Sequence, residues 1–236
     1  MNDKTAGRIV GLGMLSTLVI GILSNFKLQA DLFAAGGLLT NAAAQSDNIG
    51  LIVLLGLFTG LVSTFVAALI ASRFRHQAPI LSTFYFAIIT AGLAVSIFEF
   101  TSLFAFRHLS EVYLAAEPAQ AATFAASNAV LVGIRNGVHF LDKLLAGIGV
   151  LMLFSIFFRL RLMPRLLAGF GICAVLLQMF TVGRAVFGHE IVHAMLAPMA
   201  LSFLVMSVWL LIKGFPQDQV NEASQSVPRS VATEGR

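Results

Sequence analysis

The sequence predicts an all-α integral membrane protein, a six-transmembrane-helix up-down bundle with both termini cytoplasmic. Three observations carry that expectation. Of 236 residues, 58% are hydrophobic and 11% charged, whereas a soluble domain carries roughly 25% charged residues, so this surface cannot be wetted on all sides. Mean hydropathy is +0.90. Apolar runs of about 18 residues or more recur along the chain, and short links separate them.

A hydrocarbon core of ~30 Å needs about 20 apolar residues per helix. Six segments meet that length, at about 8–26, 49–72, 79–106, 126–158, 166–187 and 190–212. SDN at 46–48 offers caps for the second, and Pro79 falls in the first turn of the third. The basic link RLRLMPR at 159–165 places Pro164 at the opening of the fifth, and Gly188 supplies the turn into the sixth. The stretches at about 27–48 and 107–125 are too short for a separate substrate domain; HLSEVYLAAEPAQAATF, 108–124, reads as an interfacial helix that lids the bundle. The expected domain is 1–215, with a polar, disordered cytoplasmic tail at 216–236.

Orientation follows from the Lys/Arg distribution. Lys4, Arg8, Arg73, Arg75, Arg159, Arg161, Arg165, Lys213, Arg229 and Arg236 fall on one side, which is assigned to the cytoplasm. Lys27, Arg107, Arg135, Lys143 and Arg184 fall toward the other. The formal charge of +4 needs no nucleic-acid partner once this asymmetry is recognised. A secretory signal is the rival reading of residues 1–30, but LQA at 28–30 makes a poor cleavage site because Leu28 is not small. The sole cysteine, Cys173, reads as a small hydrophobe in the fifth span.

Three stretches, GRIVGLGMLSTLVIGIL, FRLRLMPRLLAGFGI and LAPMALSFLVMSVWLLIKGF, stand in the order of a known pattern. Over roughly residues 8 to 215 the chain resembles a bacterial six-helix membrane family known as domain of unknown function 4386. The resemblance implies six helices in a bacterial cytoplasmic (inner) membrane, with the lipid bilayer as partner. It implies no activity.

Ionisable residues inside the apolar zone carry most of the functional information, since each costs roughly 2.5–3.5 kcal/mol at a span's centre. Counting about 1.5 Å per residue from the cytoplasmic helix ends places Glu99, Arg135, His139, Asp142, Lys143 and Arg184 in one outward layer about 23–34 Å up. His193 falls at about 28 Å on the same count. Arg135, His139, Asp142 and Lys143 form one helical stripe, expected to face other helices.

GHEIVHAM, 188–195, holds the pattern His-Glu-x-x-His. On a helix, His189 and His193 would share a face and could ligate Zn²⁺, with Glu190 as general base and Glu99, His139 or Asp142 as third ligand. Pro198, which would kink that helix, and the want of a second signature count against this. A haem held between His139 and His193 is a further reading. Among specific functions, binding, sensing or transport of a small polar solute by the charged layer leads, and zinc-dependent hydrolysis follows. A purely structural role stands beside them, in which rim charges pair and fix helix order. The balance leans away from an enzyme, and no cofactor is expected beyond zinc at that motif.

Overall fold

A computed structural model describes residues 1–216. The tail expected at 216–236 therefore lies, from residue 217 on, outside the described residues. Seven α-helices and no strands are described. Six helical segments are long and apolar enough to cross a membrane.

α1 (Asp3–Leu23) starts earlier than its apolar run, because the Asn2 side chain accepts from the Thr5 N–H at 2.8 Å and caps it. A π-helical turn, Ser24–Leu28, prolongs it. α2 (Gly37–Asn41) is short, and α3 spans Ser46–Phe74. The SDN capping expectation is corrected here: α3 has no side-chain cap, and Asn48 bonds Gln45 instead. α4 (Pro79–Leu114) opens on Pro79, and α5 (Ala121–Arg159) follows after a single 3₁₀ turn. α6 (Arg165–Val186) begins directly after Pro164.

α7 (Ala197–Lys213) holds Pro198 in its first turn. The sixth membrane-crossing segment runs His193–Lys213, with the α-helix proper from Ala197, so it starts a few residues after 190. Proline lacks the N–H an interior position needs, and in a first turn that loss costs nothing.

The interfacial lid expected at 108–124 is also absent as a separate element. α4 and α5 simply run on, with 36 and 39 residues, or about 54 and 58 Å at 1.5 Å per residue. Both exceed a ~30 Å core. Hydropathy falls after Arg107, yet Leu, Ala and Glu keep the chain helical. The long hairpin is instead flanked by the segment between α1 and α3. Its Leu32, Leu38 and Ala42 bury against Ile49, Ile52, Leu103 and Phe106. The Ala43 N–H donates to Ser110 Oγ at 3.1 Å, fixing that segment to α4.

The six long helices close into a ring: each packs on the next in sequence, and α7 returns to α1. One end, termed terminal, holds Asp3, Phe74, Arg159 and Lys213; the other is termed distal. The centre is solid at the terminal end, where Val10, Ile70, Phe74, Phe154, Phe157 and Met206 are buried together. Gly214, at φ 70°, ends α7 and turns Phe215 inward onto Phe74, ring centroids 5.3 Å apart. Arg73 pairs with Asp3 at 2.7 Å, joining α3 to α1 at this end.

Candidate functional site

Toward the distal end the ring is not filled. A cavity of about 320 Å³ lies among α1 with its π turn, α3, α4 and α5. Its wall alternates hydroxyls with glycines: Thr17, Thr59 and Ser63 with Gly21, Gly60 and Gly92. The hydroxyl of Thr59 donates to the carbonyl of Gly56, one turn back on its own helix, which leaves its lone pairs for the cavity. A methyl group on Gly21 or Gly92 would meet nothing within 4 Å. These two positions are where small size leaves the space open.

One side of the cavity is ionic. The α5 stripe faces α4, as a run of charges at helical spacing does when lipid is the alternative. His139 Nδ1 lies 2.8 Å from Glu99 Oε1, and Arg135 Nη2 lies 3.6 Å from the same oxygen. Arg135 also donates to Gln29 Oε1 at 3.4 Å, and its guanidinium covers the Phe33 ring at 5.1 Å. One turn further along, Asp142 accepts from Ser96 Oγ through Oδ1 and from Lys143 Nζ through Oδ2, the latter at 2.8 Å. Two carboxylates thus face two basic side chains, in a place where an unpaired charge would be costly.

Glu99, His139, Asp142 and Lys143 line the cavity. Arg135 stands behind Glu99 and does not reach the wall. Arg184, of equal depth by residue count, is on α6, takes no part in the wall and has no carboxylate within 4 Å among the described residues. Equal depth did not imply convergence, because α6 and α7 complete the ring beside the cavity rather than around it.

The His-Glu-x-x-His stretch is not helical. His189 to Val192 have no regular secondary structure, and only His193–Met195 form a 3₁₀ turn before α7. His189, Glu190 and His193 are all exposed. The segment is held by the Val192 N–H donating to Thr181 Oγ1 at 2.9 Å. The premise that His189 and His193 share a helical face is therefore corrected. Among the described residues no three His, Cys, Asp or Glu side chains gather as a metal would require. His139 lines the cavity, and His193 is not among the residues that line it.

Sequence reasoning missed the polar contribution of α1 and α3. Ser24, Asn25, Gln29, Thr59 and Ser63 carry no charge, and scattered hydroxyls in apolar runs ordinarily bond their own backbone. Their common signal was proximity to glycines: Gly21, beside which space is open, and Gly56 and Gly60, against which Phe100 and Leu93 of α4 pack.

Fold and site together define a multi-pass membrane protein with six spans and a polar, charge-lined cavity in its first four. The chain belongs to the family described as Domain of unknown function (DUF4386), whose model matches residues 9–214. No curated protein and no solved structure matches it.

Proposed function

We propose that the cavity binds a small polar solute for transport or sensing across a bacterial cytoplasmic membrane, with the termini cytoplasmic and the cavity reached from outside. One observation carries this reading: paired carboxylates and cations line a cavity of about 320 Å³ rather than a packed contact. Charges that served only to order helices would be stabilised best by close packing; here glycines hold the space open beside them. The direction of access rests on the solid terminal end, with Phe74, Phe154 and Phe157 sealing it. The topology rests on the Lys/Arg excess at that same end.

Gly92→Leu supplies the test. Its new side chain enters open space, so the protein should fold and lose the cavity. A panel of small anions, cations, zwitterions and polyols is screened by thermal shift in detergent. At least one solute should stabilise the native protein, by RT ln(1 + [L]/Kd), and not the Gly92→Leu variant. Equal shifts in both proteins, or none in either, would oppose a ligand cavity.

A further inference from the structure

We propose that the ligand is a small monocarboxylate, held by Lys143 Nζ and His139 Nε2, and that His139 takes up one proton as it binds. This inference rests on the cavity being a ligand site.

The acids and bases of the cluster are not presented equally. The Glu99 and Asp142 side chains are 10% and 9% exposed, whereas those of His139 and Lys143 are 25% and 38% exposed. Asp142 already accepts one hydrogen bond on each oxygen. Glu99 faces both Arg135 and His139. The carboxylates are therefore more buried than their partners, and His139 and Lys143 are the more accessible members of the cavity's ionic side. Lys143 Nζ uses one of its three hydrogens on Asp142, leaving two. Such a surface recognises an anion.

His139 and Lys143 stand four residues apart on one face of α5, with Cβ atoms about 5–6 Å apart in such a pair. Two donors at that separation can each take one oxygen of a carboxylate. The hydroxyls of Ser63 and Thr59 on the facing α3 suit a polar remainder.

The proton follows from the tautomer. An ionised carboxylate only accepts, so Glu99 fixes the imidazole hydrogen on Nδ1. Nε2 then keeps a lone pair, and it has no hydrogen-bond partner among the described residues. The charged groups facing His139 are Glu99 from α4 and Arg135, Asp142 and Lys143 from α5; α1 and α3 offer only uncharged groups. With a neutral imidazole the two carboxylates cancel Arg135 and Lys143. A carboxylate entering alone would leave one uncompensated negative charge at membrane depth. One proton on Nε2 restores neutrality and turns an acceptor into the second donor. No bond to carbon changes; one anion and one proton enter together.

The test uses the full-length protein in detergent under weak buffering, with acetate and lactate as carboxylates. Chloride and phosphate, glycerol, and choline serve as inorganic-anion, neutral and cationic probes. Carboxylates should bind with uptake of about one proton each, and their affinity should weaken as pH rises. Lys143→Met should weaken binding about tenfold or more. His139→Gln, whose amide still donates to Glu99, should retain weakened binding with no proton uptake. Carboxylate binding without proton uptake by the native protein would overturn the inference. So would preferential binding of glycerol, choline or the inorganic anions, each of which leaves the ligand cavity standing. Binding of no solute at all would remove the cavity's function as well.

Discussion

Glu99→Gln should lower the stability of the purified protein by about 3 kcal/mol, the lower end of the cost of breaking a buried ion pair. The carboxylate is the only counter-charge within 4 Å of Arg135 among the described residues, and the two side chains are 12% and 10% exposed. Glutamine keeps the shape and can still accept from His139, so the loss isolates charge from packing. Arg135 would remain buried and without a counter-charge, its Nε already lacking a hydrogen bond. Gln29 and the Phe33 ring would soften the penalty without removing it. Thermal unfolding in detergent reads the effect, and adding Arg135→Gln to Glu99→Gln should recover part of it, because the orphaned cation is then gone. An unchanged melting temperature for Glu99→Gln would mean that cavity water already solvates the carboxylate.

Gly11→Leu should be comparably damaging for a different reason, about 3 kcal/mol and at the upper end of ordinary overpacking. α1 meets α7 backbone to backbone. A Cβ on Gly11 would lie 2.8 Å from both the Leu211 nitrogen and the Ser207 carbonyl oxygen. One turn earlier, a Cβ on Gly7 would strike the backbone of Gly214 and Phe215. Backbone cannot move aside as a side chain can, so α1 would have to leave α7 and open the ring where it closes. Gly21→Leu on the same helix offers the control: its side chain enters open space and should cost far less. Equal melting temperatures for Gly11→Leu and Gly21→Leu would contradict the close approach.

The contrast between these two glycines shows what the sequence could and could not reveal. Glycines at 7 and 11 have the small-xxx-small spacing of a helix contact, yet nothing local distinguishes them from Gly21, which faces a void. Long apolar runs made the six helices legible, and Pro79 and Pro164 marked two starts correctly. Ends were harder. Hydropathy reports where lipid can be, while helix continues wherever propensity allows, as in the distal turns of α4 and α5. The His-Glu-x-x-His spacing looked informative only on the assumption of helix, and Pro198 was better read as a helix start than as a kink. The ionic stripe on α5 was visible because charge in an apolar run is conspicuous. Which depth-matched charges meet was not, since depth is a coordinate along one helix and adjacency depends on the order of helices around the ring.

Thiol labelling tests the central claim, an aqueous cavity closed at the terminal end, most directly. Cys173 is the sole cysteine, so Cys173→Ser leaves a background in which Ser63→Cys is the one reactive group. Ser63 lines the cavity from α3. A hydrophilic, membrane-impermeant maleimide added to intact cells should label Ser63→Cys, and adding Gly92→Leu should suppress the labelling. Reaction only after the membrane is dissolved and the protein unfolded would mean that the space among these four helices is dry and closed, and would contradict the account.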